Sequence, residues 1–230
     1  MSGSGDNQPT RKRWRLVPIP VVTGVLAVIG AVVLAVVLSG CRGPSGGQGP
    51  AASSRSAAPS RGPTDRVTAT VPAGSHPAGV AVDPGTNTVY VTNEDDNTVS
   101  VIDSSTRTVT ATVPAGKNPG KVAVDPGTHT VYVVNYLDGT VSVIDGSTRT
   151  VTARVPVKDP LGVAVDPGTH TLYVTNEDDN TVSVIDSSTR TVTATVPVGK
   201  KPQGVAVDPD THIVYVTNSE DGTVSLIESR

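Results

Sequence analysis

The chain has 230 residues and a formal net charge of −3, from 18 basic and 21 acidic side chains. Beyond residue 40, the remaining 14 basic and 20 acidic residues give a charge of −6. This mildly acidic balance argues against a general nucleic-acid binder, so we expect no nucleic acid among the partners.

The first 41 residues have the features of an export signal. A basic segment ends at Arg15, and residues 16–38 then run for 23 positions without a charge. The following Leu38-Ser39-Gly40-Cys41 resembles a bacterial lipobox, in which a diacylglycerol is attached to the cysteine and the peptide is cut before it. Lipidation of Cys41 would explain why the chain holds a single cysteine.

An uncleaved transmembrane anchor is the alternative for residues 1–41. The apolar stretch is longer than a usual secretory segment and is long enough to span a bilayer of roughly 30 Å as a helix. Both interpretations place the basic segment in the cytoplasm and the rest of the chain outside. We therefore expect the protein at the cell membrane, held by lipid or by an apolar anchor, with its C-terminal domain extracytoplasmic.

Residues 42–64 form a different segment, dominated by Gly, Pro, Ser and Ala. Such a composition cannot bury a core and is typical of a flexible tether. The tether would let the domain that follows stand off the membrane.

From residue 65 onwards, a unit of about 42 residues occurs four times. The phrase Gly-Val-Ala-Val-Asp-Pro, or Lys-Val-Ala-Val-Asp-Pro in the second copy, is followed by Tyr-Val-Thr-Asn, Thr-Val-Ser-Val-Ile-Asp and Arg-Thr-Val-Thr-Ala-Thr-Val-Pro or close variants. The repeats lie near residues 73–114, 115–156, 157–197 and 198–230. The aspartates of the first phrase step by 42, 41 and 42 residues and are Asp83, Asp125, Asp166 and Asp208.

Each phrase is rich in Val, Thr and Tyr and is bounded by turn residues, which predicts a strand. In the first turn, Pro84 and Gly85 suit a type II turn with a positive φ at the glycine. The first strand is apolar throughout, as expected when both faces are covered, whereas the fourth alternates and can meet water. Such a sheet is a propeller blade. The sequence thus predicts an all-β propeller of four four-stranded blades, closed by an N-terminal strand at residues 65–72 that copies the fourth phrase.

These repeats resemble the YVTN family of β-propellers, and the resemblance covers residues 65–230. It implies an extracytoplasmic propeller used for binding or scaffolding. Such propellers usually have about seven blades. With four repeats, either the ring is small, or two chains share a larger one as a homodimer, or the array stays an open arc.

The four copies also indicate where function can lie. Positions shared by all copies most simply serve the fold: the repeated Asp caps a turn, and the Asn of Tyr-Val-Thr-Asn satisfies loop amides. Positions that differ are candidates for function. The loops that lead into the first strand of each blade and the loops between its second and third strands should emerge on one face of the propeller. The lysines of these loops would ring the mouth of the central channel. Candidate ligand-binding residues on this face are His76, Lys117, Asn118, Lys121, Tyr136, Leu137, Lys158, Asp159, Lys200 and Lys201.

Two of these candidates, Tyr136 and Leu137, form an apolar loop tip that suits contact with a partner. The neighbouring loops are acidic, as in Glu94-Asp95-Asp96, and can simply neutralise the lysines. These acids lack the alternation of a dedicated calcium loop, and the histidines of the first turns, such as His129, are expected to be exposed and too far apart to share a metal. We therefore expect no metal site and no cofactor.

Three functions remain open at this point. The first is a membrane-tethered module that binds an unknown protein or a cell-wall component. The second is a hydrolase, since related propellers include lactonase-like enzymes with a metal at the channel mouth, but the sequence has no nucleophile elbow, phosphate loop or zinc signature. We therefore expect no catalytic residues. The third is a purely structural module of the surface-layer type.

Overall fold

The computed structural model describes residues 65–228. The first sheet consists of β1 (Pro77–Asp83), β2 (Thr88–Asn93), β3 (Thr98–Asp103) and β4 (Thr108–Pro114). The second consists of β5 (Pro119–Asp125), β6 (Thr130–Asn135), β7 (Thr140–Asp145) and β8 (Thr150–Pro156). The third consists of β9 (Pro160–Asp166), β10 (Thr171–Asn176), β11 (Thr181–Asp186) and β12 (Thr191–Pro197). The fourth consists of β13 (Pro202–Val207), β14 (Ile213–Asn218) and β15 (Thr223–Glu228).

Strands follow one another in chain order within every sheet, and each pair is antiparallel. Short connections between consecutive strands impose this order. The predicted all-β architecture is confirmed, with four sheets of four, four, four and three strands that are consistent with propeller blades.

The turn between the first and second strands differs from the predicted type II turn. Gly85 does not have a positive φ. Instead the left-handed residue is two positions later, with φ of 53° at Asn87, 54° at His129, 53° at His170 and 58° at His212. Asn and His are among the non-glycine residues that tolerate this region best. In the turn between the second and third strands of a blade, the left-handed residue is Asn97 in the first blade, with a φ of 56°, and Gly139 in the second, with a φ of 58°. This agrees with the Asp-Asn and Asp-Gly pairs that the sequence has at these turns.

Hydrophobic side chains of consecutive blades form the core. Tyr90, Val99 and Val101 of the first blade are buried in one cluster with Val131 and Val133 of the second. Two similar clusters join the second blade to the third and the third to the fourth. No blade is covered on its own, so each is stabilised by its neighbour, as in other repeat proteins.

The first strands of consecutive blades lie side by side, which confirms that they are the innermost strands. Gly79 is required at this contact, because a Cβ built there would be 2.3 Å from the carbonyl oxygen of Gly120. A Cβ at Gly162 would be 2.1 Å from that of Gln203. Thr92 stabilises the first contact by donating a hydrogen bond from Oγ1 to the Gly120 carbonyl at 2.7 Å.

The predicted closure by the N-terminal strand is not observed. Residues 65–74 form no strand, Val67 is 84% exposed, and the fourth sheet ends at β15 with three strands. Among the described residues, no packing interface joins the first sheet to the fourth. The expectation that both faces of the first strand are covered therefore fails in the first blade, because no sheet precedes it there, and Val80 and Val82 are exposed.

The predicted signal or anchor segment (1–41), with Cys41, and the tether (42–64) lie outside the described residues. In the part of the chain that the structure describes, no helix has the length and apolar character needed to cross a bilayer.

Candidate binding site on the loop face

Two sets of loops meet on one side of the blades, as the sequence predicted. The amide of Gly116, in the loop before β5, donates to Oδ1 of Asn135 at 3.0 Å, and the amide of Lys117 donates to Oδ2 of Asp138 at 2.7 Å. The amide of Asn118 donates to Oδ1 of Asn97 in the preceding blade at 2.9 Å. We call this side the loop face. The predicted role of the Tyr-Val-Thr-Asn asparagine, satisfying loop amides, is confirmed at Asn135.

A cavity of about 670 Å³ opens on the loop face beside the innermost strands. All four blades contribute to its lining. The side chains that give it chemical character are Glu94, Lys121, Tyr136, Leu161, Glu177 and Gln203. The cavity is therefore a composite of several repeats, and only the packing of the blades brings its lining together.

The lining of this cavity is where the copies differ from one another. The position after the Tyr-Val-Thr-Asn asparagine is Glu94, Tyr136, Glu177 and Ser219 in the four blades. The position held by Gly in three copies is Lys121 in the second. The same backbone site therefore presents Glu in the first and third blades, Tyr in the second and Ser in the fourth, although the framework is almost identical.

Two replacements in the second blade occur together. The first and third blades pair a glycine with a threonine that donates a hydrogen bond to the next blade, as Thr92 does. The second blade has Lys121 and Val134 at these two positions, and both line the cavity. The second blade therefore lacks the threonine hydroxyl that joins the inner strands elsewhere, and it has gained a cationic and an apolar side chain at the cavity.

The cavity carries charges of both signs. Glu94 and Glu177 contribute carboxylates, and Gln203 donates from Nε2 to Oε1 of Glu177 at 3.4 Å. Lys121 forms no ion pair within residues 65–228 and is therefore available to an anionic group. With Tyr136 and Leu161 beside these charges, the cavity offers hydrogen-bond donors, acceptors and apolar contact together.

A second, shallower cavity of about 510 Å³ lies next to the first on the same face. Leu137, Lys158 and Asp159 line it, and Tyr136 borders both cavities. Tyr136 is 42% exposed and Leu137 is 68% exposed. The apolar loop tip singled out from the sequence thus forms the boundary between the two cavities.

The remaining candidates are distributed over the rest of the loop face. Lys158 pairs with Asp179 at 2.5 Å, and Lys201 pairs with Asp178. These hydrogen-bonded carboxylates raise the pKa of each lysine above its ordinary value. Charge neutralisation is therefore confirmed for both lysines. Three of the ten candidate residues line the first cavity: Asn118, Lys121 and Tyr136. Four line the second cavity: Tyr136, Leu137, Lys158 and Asp159. The other four, His76, Lys117, Lys200 and Lys201, line neither cavity.

His76 lines neither cavity. Its Nδ1 is 2.5 Å from Oδ2 of Asp95, and its side chain is 74% exposed. Among residues 65–228, no three His, Cys, Asp or Glu side chains come together in a group that could hold a metal ion.

The opposite side of the blades carries a repeated contact that the sequence reasoning missed. The Asp of each first phrase caps its own turn, as predicted, since Oδ1 of Asp83 accepts the Gly85 amide at 3.0 Å. Its Oδ2 also accepts a hydrogen bond from Nδ1 of His129 in the next blade at 2.7 Å. The same contact recurs between Asp125 and His170 at 2.7 Å and between Asp166 and His212 at 2.8 Å. We call these the Asp–His contacts.

Burial and hydrogen bonding act in opposite directions on the pKa of two carboxyls in these contacts, Asp83 and Asp166. Burial of Asp83 raises its pKa, but hydrogen bonds from His129, Thr86 and the Gly85 amide together outweigh burial, so the pKa lies below its usual value. Asp166 has a lowered pKa for the same reasons. A signal for these contacts was present in the sequence, because the first copy has Asn87 where the others have His, and only the first copy has no preceding blade.

Comparison with known proteins agrees with the geometry. A family model described as YNCE-like beta-propeller matches residues 64–172. That part of the chain is similar to YNCE-like propellers. The match covers the first two blades and the start of the third, and it supports the YVTN-type interpretation of the repeats. No curated protein sequence matches the chain.

Solved structures show the same fold. Hydrazine synthase of Kuenenia stuttgartiensis is 23% identical, with a TM-score of 0.57 over 66% of this chain and 49% of that chain. A functionally unknown protein from Desulfotomaculum acetoxidans is 15% identical, with a TM-score of 0.56 over 66% of this chain and 55% of that one. This chain thus spans about half the length of these structures, and at such identities the likeness concerns the fold alone.

Proposed function

We propose that this protein is a membrane-tethered, extracytoplasmic propeller that binds a macromolecule or a cell-envelope component through the first cavity of its loop face. One observation carries the binding part of the proposal. Side chains that differ between the otherwise uniform copies, such as Lys121 and Tyr136, converge on one cavity. A framework that only stacks blades has no need for the second blade to depart from its siblings at two positions that line the same cavity.

The chemistry of the cavity favours a ligand with both polar and apolar parts. Lys121 attracts an anionic or strongly accepting group, while Glu94 and Glu177 accept from hydroxyl, amide or amino groups. Tyr136 and Leu161 provide apolar contact. A glycan or a peptide of the cell envelope presents this combination, whereas nucleic acid would meet two carboxylates and an acidic domain.

The sibling blades supply variants that test the cavity with little risk to the fold. In the triple variant Lys121→Gly, Val134→Thr and Tyr136→Glu, the second blade takes residues that other blades carry at the same positions. Arg154→Thr is the matched control, because it also installs a sibling residue but lies on the outer strand β8. The full-length chain would be incubated with isolated cell envelopes, and the retained component would be identified by mass spectrometry after cross-linking.

We expect the wild type and Arg154→Thr to retain the same component and the triple variant to lose it. If the triple variant retains that component as well as the wild type does, the first cavity is not its binding site.

The tethering part of the proposal rests on the apolar residues 16–38 and on Cys41. A lipoprotein would lose both lipid attachment and signal cleavage in Cys41→Ser, and the mass of the chain would increase by that of the retained signal minus that of the lost lipid. An uncleaved anchor would change in mass only by the replacement of one sulfur by oxygen, and its membrane attachment would be unchanged. Measuring the intact mass of the membrane-extracted wild type and variant separates the two.

A further inference from the structure

The first and fourth blades each leave one hydrophobic face exposed. On the first blade, Val80 is 67% exposed and Val82 is 56% exposed. On the fourth blade, Tyr215 is 38%, Val224 53% and Leu226 57% exposed. We call these the leading face and the trailing face. Apolar patches of this kind on a soluble domain mark interaction surfaces.

Both faces are halves of an interface that the chain already builds three times. Tyr215 and Val224 occupy the repeat positions of Tyr173 and Val182, which are buried against Val214 and Val216 of the next blade. On the leading face, Val80 and Val82 occupy the positions of Val205 and Val207, which pack in the same cluster. The trailing face therefore has the shape and composition that fit the leading face of another copy.

We propose that two copies of this chain dock head to tail, the trailing face of each against the leading face of the other, and close a ring of eight blades. When two copies form only one such contact, one leading face and one trailing face stay exposed. Two copies cover all four faces only when both contacts form, so the closed pair is the smallest assembly with no apolar face exposed.

The polar groups at the two faces also match. Within residues 65–228, the first three of these Asp residues accept from the His of the next blade, whereas no described blade follows Asp208 and none precedes Asn87. In the head-to-tail pair these two residues meet, and the amide of Asn87 donates to the carboxylate of Asp208 as His129 donates to Asp83. Asn87 already has the φ of 53° that the histidines share.

Residues 66–72 complete the partner's fourth sheet in this arrangement. They copy the fourth phrase, and they lead into β1 as β4 leads into β5. In the structure this segment pairs with nothing, while β15 is an edge strand that lacks a fourth neighbour. Because the segment precedes the leading face, docking brings it to the edge of β15 in the other copy, and pairing there removes an open sheet edge.

The test uses the full-length chain in detergent and measures its mass by analytical ultracentrifugation. We expect the wild type at twice the chain mass, Leu226→Glu and Val82→Lys each as single chains, and an equimolar mixture of the two variants restored to the double mass. In the mixture, one contact is wild type and the other joins the new Glu and Lys. The matched control is Leu137→Glu, also an exposed leucine at 68%, on the loop face, and we expect it at the double mass.

Single-chain mass for the wild type would overturn the proposal, as would an assembly larger than two. A mixture that stays single while far-ultraviolet circular dichroism shows folded β-structure in both variants would also overturn it, because head-to-tail pairing predicts rescue. If Leu226→Glu loses its β-structure, Val224→Thr replaces it as a milder change on the same face. We expect Val224→Thr to associate at least tenfold more weakly than the wild type. Association as strong as that of the wild type would overturn the proposal.

Discussion

The two sides of the blades follow opposite rules. On one side, the Asp–His contacts repeat with the same residue types and nearly the same distances at all three blade junctions. On the loop face, the same backbone position presents Glu94, Tyr136, Glu177 and Ser219 in turn. The Asp–His contacts are copied at every blade junction, whereas several side chains that line the first cavity change between copies. The two sides therefore differ in how strictly the repeat is kept: it is uniform at the Asp–His contacts and varied on the loop face.

The inner-strand glycines give the largest expected effect on the framework. Gly79→Ala places a Cβ 2.3 Å from the Gly120 carbonyl, and neither backbone can move without separating two blades. We expect the free energy of unfolding to fall by about 3 kcal/mol, as for an overpacked core position. Chemical denaturation monitored by circular dichroism measures the change.

Gly120→Ala is the matched control for the inner-strand glycine. It makes the same substitution on the neighbouring inner strand, but no atom lies within 4 Å of a Cβ built there. We expect a change within about 0.5 kcal/mol, as at sites without close contacts. Equal losses of stability in Gly79→Ala and Gly120→Ala would show that the inner strands of the first two blades are not in close contact. The first cavity beside them would then be wider than in this structure.

The Asp–His contacts should give an intermediate effect. His170→Ala leaves Oδ2 of the buried Asp125 without its donor, and an unsatisfied buried acceptor costs about 1–3 kcal/mol. His76→Ala, the control, removes only an exposed pair with Asp95, for which we expect at most about 1 kcal/mol. Thermal or urea unfolding measures both. A loss at His170 no larger than at His76 would mean that blade cohesion comes from the apolar clusters alone.

Acid should weaken the Asp–His contacts formed by Asp83 and Asp166. Asp83 and Asp166 have pKa values lowered from the ordinary 3.8, so below that pH the unfolded chain binds more protons than the folded one. Their stabilisation is complete above pH 3.8 and is lost as the pH falls through the lowered folded-state values. Urea midpoints measured from about pH 5 to 2 should therefore decrease.

Asp83→Asn identifies the source of this pH dependence. The amide oxygen can still accept from the Gly85 amide, but the side chain no longer titrates, so the slope below pH 3.8 should become shallower. A slope that is the same in Asp83→Asn as in the wild type would assign the acid sensitivity to other carboxyls.

The framework was predictable because its signals are local and repeated four times. Strand phrases, turn residues and the asparagine at Asn135 each follow from short-range chemistry. The prediction that residues 65–72 close the ring within one chain was wrong, because pairing with β15 depends on how far four blades turn around the axis, which no local phrase encodes. The turn type failed for a related reason: Pro84-Gly85 suits a type II turn, yet the left-handed residue is Asn87.

The candidate site was predictable only in part. Comparing the copies pointed to Lys121 and Tyr136, which line the first cavity. It missed Glu177, because the acidic loop that contains this residue was explained by turn chemistry. It also missed Gln203, because this residue differs from the equivalent residues of the other copies but carries no charge. Including every position that differs between copies, and not only the lysines and the apolar tip, would have found both.

The paired lysines of the loop face give the smallest expected effect. Lys158 pairs with Asp179, but both side chains are more than a third exposed, so solvent screens the attraction. Lys158→Ala should change the free energy of unfolding only slightly, and the change should disappear in about 1 M salt. Lys121→Gly should also leave stability nearly unchanged, because siblings carry glycine there, but unlike Lys158→Ala it should weaken retention of the envelope component. If both lysine variants weakened retention equally, the attraction would belong to the charge of the whole loop face and not to the first cavity.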